Sequence, residues 1–217
     1  MKKIGLDVYK VNELSDDVKA KVIEKHRYDF SDIVNFDIQD EFKQRLEEKG
    51  YPTDDIRYSL NYCQGDGMAF YGTIDLEEFI EKRHKELEES LSNDDLRRVK
   101  YISKEGWRMH IEKVRAFHLY DHFNTMELFV EDFDCYMYDF GGVRKKDIEN
   151  MENATNNLVN FIEDDIKHLS KELETVGYDI AESYENDEYI IEHLEENEYY
   201  FTEDGIEIDV DMYEEIM

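Results

Sequence analysis

The chain has 217 residues and carries 56 acidic against 26 basic side chains, which gives a formal net charge of −30. Such a charge repels nucleic acid and anionic lipid over about 8 Å at physiological salt, which argues against direct binding to DNA or RNA. Hydrophobic residues make up 41% of the chain and aromatic residues 13%, more than a disordered acidic protein carries. Length and composition therefore predict a folded protein with a core of its own.

The negative charge is concentrated towards the C-terminal end. Residues 172–217 contain 18 acidic residues and no lysine or arginine, whereas the first 171 residues contain 38 acidic and 26 basic residues. Solubility alone is served by a mixture of both signs of charge. The one-sided segment is therefore the main functional clue in this sequence.

The two cysteines and the apolar content bear on the cellular compartment. Cys63 and Cys135 are far apart and form no CxxC motif, so we predict two buried thiols and neither a disulfide nor a zinc site. The N-terminal residues include no apolar leader, and no run approaches the roughly 20 apolar residues of a membrane span. We expect a cytoplasmic protein that does not bind membranes.

The N-terminal part of the chain predicts one strand and two helices. Apolar residues alternate over residues 4–8, as they do in a strand, and Ser15 followed by two aspartates predicts the start of a helix. A second helix is predicted over residues 37–49, where apolar residues recur every four positions until Gly50.

The middle of the chain predicts two hairpins with a helix between them. Extended runs over 56–63 and 68–74 flank Gln64-Gly65-Asp66-Gly67, whose glycines permit a tight connection. Helical spacing over 76–91 predicts a third helix, followed by a short turn near 96–101.

The second hairpin and a long helix follow. Runs rich in aromatic and β-branched residues, 108–119 and 125–133, predict the two strands. A stripe of apolar residues predicts a long helix from Arg144 to Val176 that packs on the sheet, with Gly177 as its stop or kink.

The acidic end is predicted to be folded. A helix over Asp187 to Asn197 precedes a hairpin in which Ile206, Ile208 and Val210 alternate with acidic residues. No Gly/Ser-rich linker interrupts the chain, so we predict one compact domain over residues 1–217 with an acidic subregion over 178–217. The predicted fold class is α+β, an antiparallel sheet of hairpins packed against several helices.

The motifs that could carry chemistry are weak. The Gln64–Gly67 turn lies between two strands and contains an acid, which favours a structural turn over a phosphate-binding loop. Cys63, Asp66, His118 and His122 include the groups of a nucleophile and its base, but the sequence does not bring them together. We predict no catalytic residue, no cofactor and no metal; the acidic hairpin lacks the ligand frame of an EF-hand calcium loop.

The acidic end offers two interpretations. A solvated face that keeps the protein soluble is the usual meaning of a charge run. Alternatively, glutamates about one turn apart on the last helix imitate a phosphate backbone and bind a basic protein. The predicted partner-binding residues are Glu188, Glu192, Glu195, Glu196, Glu203, Asp204, Glu207, Asp209 and Asp211.

Three segments resemble a family of small, mostly uncharacterised proteins encoded by phages and prophages. They are Glu13–Lys21, which matches an E-L-S-D helix start, Tyr58–Phe70, which matches a Q-G-D-G hairpin, and Tyr199–Gly205 near the end. Cys63 stands where that family commonly has serine. The resemblance implies a phage origin and assigns no catalytic residue.

The leading hypothesis is that the protein is not an enzyme but an acidic phage inhibitor. It would occupy the basic, nucleic-acid-binding surface of a host defence protein, as DNA-mimic anti-restriction and anti-CRISPR proteins do. A small-molecule or nucleotide binder, or an enzyme, centred on Gln64–Gly67 is the alternative, and an assembly or regulatory module is a third possibility. The sequence does not specify the oligomeric state.

Overall fold

A computed structural model describes residues 7–104, 106–114, 120–131 and 145–209, and it confirms the α+β class. The described helices are α1 (Asp16–His26), α2 (Ser31–Lys49), α3 (Leu76–Lys82), α4 (His84–Ser90), α5 (Asn93–Lys104), α6 (Lys145–Tyr184) and α7 (Asp187–Glu196). The described strands are β1 (Asp55–Ser59), β2 (Gly67–Ile74), β3 (Met109–Lys113), β4 (Met126–Val130), β5 (Tyr200–Phe201) and β6 (Glu207–Ile208). No described helix is long and apolar enough to cross a membrane.

The backbone contacts divide the chain into two compact units. The larger unit is Ile38–Tyr178, and the smaller unit joins Met1–Asp37 to Asp179–Met217. The sequence of the smaller unit has 24 acidic and 7 basic residues, against 32 and 19 in the larger unit. The smaller unit is therefore about half as long and yet the more negative of the two.

The sheet of the larger unit is formed by the two predicted hairpins. Its strands lie in the order β1-β2-β3-β4, and every neighbouring pair is antiparallel. Ser170 on α6 donates a hydrogen bond from its hydroxyl to the carbonyl of Met68 in β2, which ties the long helix to the sheet. Leu158, Ile162 and Ile166 on the same helix are fully buried, so the predicted apolar stripe faces the core.

The prediction that Gly177 ends the long helix is wrong. The helix continues to Tyr184, and Gly177 is buried within it. A Cβ atom at this position would lie 2.5 Å from Leu60 Cδ1 and 2.9 Å from Phe42 Cζ. The glycine is required by the close approach of these side chains, an effect that helical periodicity does not reveal.

The helix predicted over residues 76–91 is interrupted at Arg83. The residue has φ −98° and ψ 16°, outside the helical region, and it separates α3 from α4. The turn predicted near residues 96–101 is part of a full helix, α5, of 12 residues.

The smaller unit builds its core from both ends of the chain. Val11, Val22 and Phe30 from the N-terminal segment pack with Leu194 and Phe201 from the acidic segment. The backbones of Tyr9 and Phe201 exchange two hydrogen bonds of 2.8 Å. Of the strand predicted over residues 4–8, residues 4–6 lie outside the described residues, and Asp7 and Val8 are exposed and not part of a strand.

The C-terminal hairpin is present, but it is shorter than predicted. Strands β5 and β6 pair over two residues each. Ile206, which the alternating pattern placed on the buried side, is 64% exposed. Gly205, with φ +80°, approaches Val18 and Val22 of α1 instead, so the turn of the hairpin contacts the helix.

Candidate functional site

The last helix presents a row of carboxylates. Asn186 caps α7 by accepting a hydrogen bond of 2.8 Å from the Glu188 amide, and two apolar residues, Ile190 and Leu194, are buried. Their burial leaves the opposite side for Glu188, Glu192 and Glu196, which are exposed. Four residues rise about 6 Å along a helix, so these carboxylates repeat at about that spacing.

Aromatic side chains hold α7 in place. Phe30 contacts the rings of Tyr189 and His193 edge to face, at centroid distances of 5.4 and 4.6 Å. Tyr184 contacts Tyr189 in the same manner and donates a hydrogen bond to a carboxylate oxygen of Asp37. That hydrogen bond, together with burial, raises the pKa of Tyr184 to about 12. The acidic row therefore sits on a well-packed support.

Bases of the N-terminal segment neutralise part of the acidic segment. Arg27 donates to Asp187 at 2.7 Å, and Lys25 donates to Glu207 at 3.2 Å. Glu195 accepts a hydrogen bond of 3.2 Å from the backbone amide of Asn12, and Lys10 lies 3.9 Å away. The absence of bases after Lys171 is thus partly compensated in three dimensions by residues more than 150 positions away, which the sequence pattern did not predict.

The predicted partner-binding residues consequently fall into two classes. Glu195 and Glu207 are used for contacts within the unit. Five others are exposed and form no ion pair with any residue of the described ranges: Glu188, Glu192, Glu196, Glu203 and Asp204. Asp209 is exposed at the end of β6, and Asp211 lies outside the described residues.

The carboxylate of Asp66 is the centre of the other predicted site, and it is surrounded by donors from its own chain. Its Oδ2 accepts from the amides of Asn61 and Cys63 at 2.7 and 2.8 Å and from the Tyr178 hydroxyl at 2.6 Å. Its Oδ1 accepts from Ser59 at 3.0 Å and from the Cys63 thiol at 3.2 Å.

These contacts determine the charge of Asp66. Burial opposes the charged form, but the hydrogen bonds from Tyr178, Cys63 and Asn61 outweigh it and hold the pKa of Asp66 well below its usual range. The carboxylate therefore fastens the loop and has little acceptor capacity left for a ligand. Cys63, predicted to be buried, is exposed because it lies in this loop.

The two glycines of the turn make room for a neighbouring segment. A Cβ atom on Gly65 would lie 2.5 Å from the Tyr120 ring, and one on Gly67 would lie 2.3 Å from His122 Cβ. The His122 ring accepts a hydrogen bond from the Asn124 amide at 3.1 Å. His122 therefore lies beside the turn, but it has no hydrogen bond to Cys63 or Asp66 in the described structure. His118 lies outside the described residues.

Sequence reasoning missed a buried ion pair in the larger unit. Arg83 is 5% exposed and donates to both carboxylate oxygens of Asp165 at 2.7 Å, and the Tyr51 hydroxyl donates to Asp165 at 2.7 Å. Burial opposes ionisation, but the hydrogen bonds from Arg83 and Tyr51 leave the pKa of Asp165 lowered. No signal marks this pair in the sequence, because its members are 82 positions apart.

An open cleft of about 550 Å³ adjoins this ion pair. Ser90, Phe161, Asp164 and His168 are among its lining residues. Within the described parts of the chain, no group of three or more His, Cys, Asp or Glu residues is arranged to hold a metal ion.

Comparisons with protein-family models, with curated proteins and with solved structures found no match to this chain. The local geometry must therefore support any functional conclusion by itself.

Proposed function

We propose that the protein binds the basic, nucleic-acid-binding surface of another protein through the carboxylates of α7 and the C-terminal hairpin. The observation that carries this proposal is the row of Glu188, Glu192 and Glu196. These residues are exposed and form no ion pair with any residue that the structure describes, although bases of the N-terminal segment neutralise their neighbours. In keeping with the resemblance of its sequence to phage proteins, we propose a host defence protein as the partner and inhibition as the outcome.

The three glutamates of α7 alone are too widely spaced to imitate a nucleic acid, so mimicry needs a larger set of acids. One strand of DNA carries a charge every 3.4 Å, whereas the row repeats about every 6 Å. Glu203 and Asp204, at the turn between β5 and β6, add two further exposed carboxylates. We therefore assign the interaction to the helix and the hairpin together.

The larger unit supports the alternative, a ligand site at Gln64–Gly67, less well. Both oxygens of Asp66 are occupied by donors from the loop and from Tyr178. The glycines of the turn are explained by their contacts with residues 120–122. No observation at this hairpin points to a bound small molecule.

The test is affinity capture from host cells with a salt gradient, followed by competition. We expect a partner that elutes with rising NaCl and whose binding to a fluorescent DNA duplex is displaced by the protein, because screening weakens exposed charge pairs. The variant E188K/E192K/E196K is expected to lose the partner while keeping its helical circular dichroism.

The matched control, E81K/E89K/E127K, reverses three exposed glutamates of the larger unit that form no ion pair with a described residue. This control is expected to retain the partner. Equal loss of binding in both variants would show that only total charge matters, and elution that ignores salt would contradict the proposal.

A further inference from the structure

Three large apolar side chains in the N-terminal segment of the smaller unit are exposed. Tyr28 is 68% exposed, Ile33 47% and Phe36 69%. Ile33 and Phe36 are three residues apart on α2 and therefore neighbours on its surface. We call these three residues the apolar patch. Large apolar side chains exposed this close together are typical of a contact surface.

The core does not account for the patch. Phe30, Val34 and Asp37 form the inner side of this segment: Phe30 packs on α7, Val34 joins the core cluster, and Asp37 accepts from Tyr184. Ile33 and Phe36 are exposed instead, and exposing apolar side chains brings no gain in folding free energy.

The patch is continuous with the acidic surface. Arg27, the residue before Tyr28, donates to Asp187 and to the Glu185 carbonyl at the start of α7. Asp29 and Asp32 are exposed within the same stretch, and Asp32 has no ion pair in the described structure. The patch is thus bordered by carboxylates.

The negative charge around the patch determines which kind of molecule can bind there. A second copy of the chain would bring the same acids against each other, and nucleic acid or anionic lipid would be repelled. A cationic protein element with apolar side chains would satisfy both features. Ile33 and Phe36 span about one helical turn, which suits the apolar side of a helix laid across them.

We infer that the partner presents a basic amphipathic helix, whose apolar side chains contact Tyr28, Ile33 and Phe36 and whose lysines or arginines face Asp32 and Glu188. This inference rests on the proposed function and adds the kind of element that is recognised. The acids attract the helix, and the patch fixes its position, since buried aromatic anchors contribute most of the binding energy in protein interfaces.

The experiment titrates the full chain with a 14-residue helical peptide that has leucines on one side and lysines on the other. A peptide of equal charge with serine in place of leucine is the reference. We expect the leucine peptide to bind at least tenfold more tightly than the serine peptide. The variant I33S/F36S is expected to lose that tenfold advantage, whereas F129S, which changes an exposed phenylalanine on β4, is expected to keep it.

The outcomes separate this inference from the proposed function. If I33S/F36S binds the leucine peptide as the wild type does while E188K/E192K/E196K binds it weakly, the inference is overturned and the acidic surface stands. If E188K/E192K/E196K binds like the wild type, the proposed function fails as well. The inference is also overturned if the wild type does not prefer the leucine peptide. It is overturned as well if sedimentation shows that the wild type is a dimer and I33S/F36S a monomer, because the patch would then bind a second copy of the chain.

Discussion

Two sets of carboxylates, one in each unit, have opposite surroundings. In the larger unit, Asp66 and Asp165 accept hydrogen bonds from groups of the same unit, and their pKa values are lowered as a result. In the smaller unit, Glu188, Glu192 and Glu196 face solvent. A single count of 56 acids therefore conceals two environments, one of carboxylates held by hydrogen bonds and one of carboxylates exposed to solvent. The following substitutions test that division, beginning with the largest expected effect.

Asp165→Ala is expected to destabilise the protein by about 3 kcal/mol, because it removes two of the hydrogen bonds of the buried Arg83 guanidinium and leaves it paired only with Glu86 among the described residues. Urea unfolding followed by circular dichroism measures the change. Asp164→Asn is the matched control: it alters the neighbouring exposed acid and is expected to change stability by less than about 0.5 kcal/mol.

The double variant R83M/D165L sharpens the same test. Replacing both members of a buried ion pair with apolar side chains is often tolerated, so this variant is expected to recover much of the loss. A double variant as unstable as Asp165→Ala would show that the cost comes from packing around these positions and not from the loss of the hydrogen bonds of Arg83.

Asp66→Asn is expected to cost about 2 kcal/mol, because the amide cannot replace a carboxylate that accepts from the Tyr178 hydroxyl and from two backbone amides. The lowered pKa of Asp66 also sets a pH dependence. Its charged form adds stability above the unfolded pKa of about 4, and this contribution is lost as pH falls towards the folded pKa. Denaturation between pH 7 and pH 2 should therefore show a smaller fall for Asp66→Asn than for the wild type, and equal falls would contradict this role.

Tyr184→Phe has the smallest expected effect, a loss of about 1 kcal/mol for the hydrogen bond to Asp37. The raised pKa means that the neutral phenol is favoured by folding. Its contribution is present below the unfolded pKa of about 10 and is lost as pH rises through about 12. Difference absorbance near 295 nm should show one tyrosine fewer titrating near pH 12 in the variant, and an unchanged titration curve would argue against this contact.

Local patterns were sufficient to predict most elements of this fold. Both predicted hairpins are present, because turn residues and strand-forming runs act over short distances. Their bounds differ from the prediction: β1 ends at Ser59 and β3 at Lys113, and residues 115–119 lie outside the described residues. The last helix begins at Asp187, as its capping residue indicates. Helical periodicity also predicted the buried face of α6.

Contacts between residues far apart in the sequence could not be predicted, and these contacts determine which acidic side chains are neutralised. Gly177 ends no helix, because the space it leaves is filled by Phe42 and Leu60. The neutralisation of Asp187 by Arg27 depends on residues 160 positions apart. Among the acids predicted to bind a partner, Glu195 and Glu207 have contacts within the unit, and these contacts also join residues far apart in the sequence.

The core of the smaller unit is built from both ends of the chain, and this affects folding during translation. Val22 and Phe30 leave the ribosome long before Leu194 and Phe201, with which they pack. About 140 residues separate the two segments of the unit, which at 5–20 residues per second amounts to roughly 7–28 s. During that interval the apolar faces of α1 and the start of α2 have no partner from the acidic segment, so the nascent chain is open to chaperones until α7 emerges.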